Sequence, residues 1–141
     1  MSTLTGAQAR QIIDGAIAAA RQSGFKPMGV VVVDAAAQVV ASAREDGATA
    51  LRLDIALGKS AAAVGMGAAS RVLTQRAKDL PAFFGAVAAV AQQKFIPQTG
   101  AVLIKAADGT VIGAAGASGG TGDEDEQIVI AGITAAGLEH G

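Results

Sequence analysis

Cysteine, tryptophan and tyrosine are absent from these 141 residues, and histidine occurs once, at position 140. Without cysteine there are no disulfides, thiolate metal sites or thiol catalysis. A single histidine excludes a multi-histidine metal site within one chain. A Ser-His-Asp triad would have to use the penultimate residue, where chain ends fray. No metal site is expected. Charged residues make up only 16% of the chain, against about 25% in an ordinary soluble domain. With 11 basic and 12 acidic residues and no Lys/Arg stripe, the chain has no basic footprint for nucleic acid. Its apolar runs, Met28–Val33, Ala61–Val64 and Val87–Ala91 among them, fall far short of a membrane span. Met1–Arg10 lacks the basic start and apolar run of a signal peptide. A cytoplasmic protein that binds neither membrane nor nucleic acid is expected.

What is abundant is small and apolar. Alanine (34) and glycine (19) dominate, and hydrophobic residues reach 51%, which excludes intrinsic disorder. The length suits one domain over residues 1–141, with a core of small side chains at close backbone approach. So little charge leaves a monomer surface poorly covered, so a homo-oligomer, dimer or higher, is expected.

Thr5-Gly-Ala-Gln8 spells a capping box, followed by an apolar stripe through Ile12, Ile13, Ala16, Ile17 and Ala20 and a stop at Gly24. Met28–Val33 reads as a strand covered on both faces, turning at Asp34–Ala37 into a second strand, Gln38–Arg44. Helices are predicted from about Ala50 to Met66 with Thr49 as cap, over Arg71–Lys78 behind Ser70, and over Leu80–Lys94 behind Asp79. Phe95-Ile96 is a candidate edge strand stopped by Pro97. Ala101–Ala106 and Thr110–Ala117 form a second hairpin around Asp108-Gly109. A glycine-rich loop, Gly116–Gly122, leads to a last helix, Asp123–Glu139. Hairpins with helices before, between and after them indicate an α+β fold.

The loop Gly116-Ala-Ser118-Gly-Gly-Thr-Gly122 invites a phosphate-loop reading, which fails. No Lys-Ser/Thr pair follows, and Asp123, Glu124, Asp125 and Glu126 would repel an anion from the helix N-terminus. Two readings remain: a tight loop with acids stabilising the helix start, or a cation or ligand hydroxyl held by Ser118 and one acid. Lys59 stands among Ala56, Leu57, Ala61 and Ala62, about 140° round the helix from Asp54. Half-buried, it suits proton transfer; otherwise it snorkels. Arg44, ahead of Glu45-Asp46-Gly47, either offers a guanidinium to a carboxylate ligand or joins a solvated loop. Met28 and Met66 are soft ligands in principle and core fillers by habit.

Three segments together resemble the GlcG/HbpS family of haem-degrading or haem-binding domains, also found as the C-terminal part of PduO proteins. They are Asp54-Ile-Ala-Leu-Gly-Lys59-Ser-Ala-Ala-Ala, the stretch from Asp108 to Gly120, and Asp125-Glu126; Arg44-Glu-Asp-Gly-Ala fits the same family pattern. The resemblance implies a profilin-like sandwich with a five-stranded antiparallel sheet packed by helices, assembled into dimers or rings. It also implies haem or corrinoid binding, or an unassigned role beside small-molecule catabolism. Where the family commonly has Gly-Gly-x-Pro-Ile, this chain has Thr99-Gly100-Ala-Val102-Leu, which alters a loop of the implied pocket.

The expected pocket lies where the Ser118–Gly122 loop meets the helix carrying Lys59, with Arg44 at its rim. Arg44, Thr99, Gly100, Ser118, Gly119 and Gly120 are the candidate ligand-binding residues; Lys59, Asp125 and Glu126 are the candidate acid–base residues. The first functional reading is an oligomeric small-molecule-binding protein, with haem or a related tetrapyrrole as the ligand the resemblance implies. The second is a cofactor-independent isomerase, lyase or hydrolase acting on a small organic acid in a catabolic pathway. A structural or regulatory oligomer without a site is the third.

Overall fold

A computed structural model describes residues 3–92 and 94–141 of the chain. Helix α1 (Gly6–Ser23) starts at the capping box of Thr5 with Gln8 and ends at Gly24, whose φ is +71°. Strands β1 (Gly29–Asp34) and β2 (Val39–Arg44) form the first hairpin. Helices α2 (Arg52–Met66), α3 (Ser70–Asp79) and α4 (Pro81–Val90) follow. Then come β3 (Ala101–Lys105), β4 (Val111–Ser118), α5 (Gly122–Ala135) and β5 (Glu139–His140).

The five strands form one antiparallel sheet in the order β2-β1-β4-β3-β5. The α+β class and the five-stranded antiparallel sheet packed by helices are as expected. The unbroken valines of β1 have the anticipated cause. Val30 and Val32 face a core shared with α1 and α5, while Val31 and Val33 face α2, since successive side chains of a strand point to opposite faces. A third cluster joins Ala62, Leu73, Phe84 and Phe95 under α3 and α4. Among the described residues no helix is long and apolar enough to cross a membrane.

Several boundaries differ from expectation, each for a local reason. Thr49 caps nothing with its side chain; its carbonyl accepts from Arg52 in a turn, and Leu51 is the N-cap. The Ser70 hydroxyl is turned inward, accepting from the Ala101 amide at 2.9 Å and donating to the Ala101 carbonyl at 3.2 Å. Asp79 accepts from Gln75 rather than capping α4, which Leu80 precedes. The helix expected over Leu80–Lys94 crosses position 93, outside the described residues, and α4 ends at Val90.

Phe95-Ile96 forms no strand. Its Ile96 lies in a slot left by Gly58, where a Cβ would come within 2.6 Å of the isoleucine. The edge strand is instead β5, beyond the turn at Gly137, so the last helix ends four residues earlier than expected. His140 is therefore fixed in exposed pairing with Ile104 rather than frayed. Gly116 to Ser118 also belong to a strand, which shortens the glycine-rich loop to Gly119–Thr121.

Helices α1 and α5 touch backbone to backbone at Gly15 and Gly132. A Cβ on Gly132 would overlap the Ile12 carbonyl oxygen. Alanine there gains about 1 kcal/mol of helix propensity but forces apart a packed pair, at a cost of roughly 1–3 kcal/mol. Overpacking wins, so Gly132→Ala is expected to lower the urea midpoint without changing the slope. An unchanged or raised midpoint would show that the two helices separate freely.

Candidate functional site

Helix α2 lies on the sheet with its first turn resting on Gly29, where a Cβ would come 2.8 Å from the Arg52 carbonyl carbon. Gly29 pairs across the sheet with Ser118, so Arg52 emerges over the end of β4. Its Nη1 donates to Ser118 Oγ at 3.1 Å. Seven residues on, about two turns along the same face, comes Lys59. Its Nζ donates to the Ala117 carbonyl at 3.1 Å and to Asp125 Oδ2 at 3.0 Å. Two cations of one helix thus end on consecutive residues of β4.

The carboxylate partner comes from α5. Thr121 and Glu124 form a capping box at its start, and the Gly120 amide donates to Asp125 Oδ1 at 2.9 Å. Both Asp125 oxygens are therefore bonded, one to the loop and one to Lys59. The two side chains are 7% and 2% exposed. Such burial calls for a partner, and each charge has one. Burial raises the Asp125 carboxyl above its ordinary range; Lys59, the Gly120 amide and Arg52 oppose that rise without cancelling it. Gly100 makes room for the lysine. Its φ is +141°, and a Cβ there would lie 2.7 Å from Nζ.

An open cleft of about 490 Å³ lies over this pair, walled by Ile55 and Ile96, with Thr99, Ser118, Gly120 and Arg52 at its polar surfaces. A second hollow, of about 450 Å³, adjoins it across Arg52, Gly120 and Thr121, with Phe25 and Lys26 on its far side. The lining carries two cations, Arg52 and Lys59, and two carboxylates, Asp123 and Asp125. Asp125 is paired with Lys59 and Asp123 with Arg71, so Arg52, bonded to a hydroxyl, is the cation placed to meet an anionic ligand group.

The expected meeting of the loop with the Lys59 helix is present, and Lys59, Asp125, Thr99, Ser118 and Gly120 converge on it. Gly119 lines the neighbouring hollow, and Gly100 packs against Lys59. Two expected residues lie elsewhere. Arg44 donates to the Ala48 carbonyl at 3.0 Å and does not line the cleft; its strand's register carries it to the outer edge of the sheet. Glu126 is one position past Asp125, about 100° round α5, and meets Arg71 of α3 at 3.1–3.2 Å. Arg71 also pairs with Asp123, and the two acids raise its pKa. Glu45 serves structure as well, accepting from the Met28 amide and pairing with Arg21. The residue missed in the sequence is Arg52. The available signal was its seven-residue spacing from Lys59 on one helix face.

The sequence profile of a family described as "Haem degrading protein HbpS-like" matches residues 4–134. Among solved structures, a complex of PduOC with haem is 26% identical, covers 98% of each chain and has a TM-score of 0.86. A double mutant of HbpS from Streptomyces reticuli is 27% identical over 95% of this chain and 87% of its own, with a TM-score of 0.82. The ORFY protein of Klebsiella pneumoniae is 25% identical over 97% and 92%, with a TM-score of 0.86. No curated protein matches.

The raised Asp125 carboxyl gives a pH signature. A carboxyl whose folded pKa exceeds its unfolded value, about 3.9, binds protons more tightly when folded. Its stabilising contribution is complete below that unfolded value and is lost as pH rises through the folded one. The stability difference between wild type and Asp125→Asn is therefore expected to shift against the wild type as pH rises from about 4. Urea titrations across that range check it; a difference that moves the opposite way would place the carboxyl below its ordinary range.

Proposed function

We propose that the chain, which belongs to the HbpS-like haem-degrading protein family, binds a carboxylate-bearing tetrapyrrole, haem or a relative of it, in the cleft over Arg52 and Lys59. The observation that carries this reading is the likeness, over 98% of each chain, to a haem complex, combined with a guanidinium, Arg52, at the cleft surface that can meet a carboxylate.

The cleft fits the carboxylates of such a ligand and its apolar edge, which Ile55 and Ile96 can flank. It does not fit the iron. Among the described residues no histidine, methionine or tyrosine lines it, His140 is exposed on β5, and Met28 is fully buried beneath Gly119 and Gly120. Retention therefore rests on carboxylate contacts and shape, and a metal-free porphyrin should bind about as well as haem.

The same proposal includes self-association. Helix α4 carries no charge and buries only Phe84, while Phe83 is 55% and Val90 85% exposed. Apolar side chains on a low-charge surface mark a contact face.

Sedimentation of the protein with haemin, followed at the Soret wavelength, tests both parts together. Haem absorbance should travel with a species heavier than the 13.8 kDa chain. Arg52→Met, which removes a charged hydrogen-bond donor, should weaken binding roughly 10- to 100-fold. Free haem with the wild type, or equal binding by the variant, would overturn the ligand reading. Haem on a 13.8 kDa species would overturn the association.

A further inference from the structure

Tetrapyrrole binding makes no use of a lysine and an aspartate buried against each other at the bottom of the cleft. An ammonium–carboxylate pair out of water gains little for stability over apolar packing, so its presence beneath an open cleft asks for another account. Lys59 Nζ is bonded to two oxygens, Asp125 Oδ2 and the Ala117 carbonyl, and it borders the cleft. Glycine at 100 keeps side-chain atoms away from the nitrogen on one side. The guanidinium of Arg52 ends at Ser118, the residue next to the one Lys59 binds. A lysine nitrogen beside a proton acceptor and a second cation is the arrangement that activates an amine toward carbonyl groups.

We propose that Lys59 forms an imine with 2-oxo carboxylic acids, with Arg52 holding the carboxylate of the acid and Asp125 moving the protons. This activity shares the cleft with the ligand proposed above and does not depend on it. The step balances without any oxidant or further reactant. The ammonium passes one proton to Asp125, and the freed nitrogen lone pair forms a bond to the 2-oxo carbon. The carbonyl electrons move to oxygen, which takes the proton back from Asp125. A second proton follows the same route from nitrogen to that hydroxyl, and water leaves as the carbon–nitrogen double bond closes. Of the three ammonium hydrogens, two depart on water and one stays on the iminium nitrogen. The positive charge, absent from nitrogen while the free amine stands beside protonated Asp125, returns to it on attack and is carried by the iminium at the end.

Burial favours the neutral form of Asp125, which agrees with its service as a transient proton carrier. The other lysines, at 26, 78, 94 and 105, form no ion pair with a carboxylate among the described residues.

The test is reductive trapping. The intact protein is incubated with pyruvate and sodium borohydride, then weighed by mass spectrometry and mapped by peptides. One reduced pyruvate per chain is expected, on Lys59. Lys59→Arg, which keeps the charge opposite Asp125 but cannot form the imine, should lose that adduct. Arg52→Met should lower its yield at least about tenfold. Propanone in place of pyruvate, lacking the carboxylate, should label Lys59 at a similarly reduced level. No adduct, or an adduct pattern unchanged in Lys59→Arg, overturns the proposal. Haemin titration of the same wild-type sample keeps the two readings apart. Haem binding without an adduct sinks only the imine, and an adduct without haem binding sinks only the tetrapyrrole reading.

Discussion

The contact between Lys59 and Asp125 joins three parts of the molecule. Lys59 belongs to α2 on one face of the sheet, and Asp125 to α5, whose buried residues pack on the other. The Ala117 carbonyl and the Gly120 amide tie the end of β4 and the following loop to the same two side chains. Removing two charges from water costs several kcal/mol per ion. That cost is tolerable here because both carboxylate oxygens have a donor. Among the described residues, no buried side-chain nitrogen or oxygen lacks a partner.

Small residues follow from this arrangement. For the lysine of a helix on one face to reach the carboxylate of a helix on the other, α2 must lie close to the sheet. Ala56, Ala62 and Ala63 are completely buried along it, and Gly116 of β4 leaves room for Ser60, which a Cβ would overlap. A core of larger side chains would lift α2 away and separate the pair. The abundance of alanine and glycine is thus tied to the chemistry of the cleft as well as to packing density.

The fold was legible because its signals are local. The Thr5 capping box, the Asp108-Gly109 turn and the two-faced valine strand each depend on neighbours within a few residues. Lys59, Ser118 and Asp125 were legible as a motif. Glu126 and Arg44 were misplaced because one step along a helix, or the register of a strand, decides which side of the molecule a side chain serves, and composition is silent on that. Arg52 was missed because its role depends on Gly29 meeting the start of α2. The fifth strand escaped for a similar reason. Glu139–His140 has no strand pattern of its own, and only pairing with Ile104 and Lys105 makes it one.

The central claim is that Lys59 and Asp125 act as one coupled unit, and a double-mutant cycle measures that directly. Unfolding free energies of the wild type, Lys59→Met, Asp125→Asn and the double variant would be compared at neutral pH. Breaking one side of a buried pair leaves the other charge stranded, at roughly 3–5 kcal/mol. Lys59→Met should therefore cost that much alone and far less in the presence of Asp125→Asn, whose amide oxygen can still accept from Gly120. A coupling of about 2 kcal/mol or more is the expected result. Additivity within about 0.5 kcal/mol would mean that the two residues merely lie near each other, and would contradict the account.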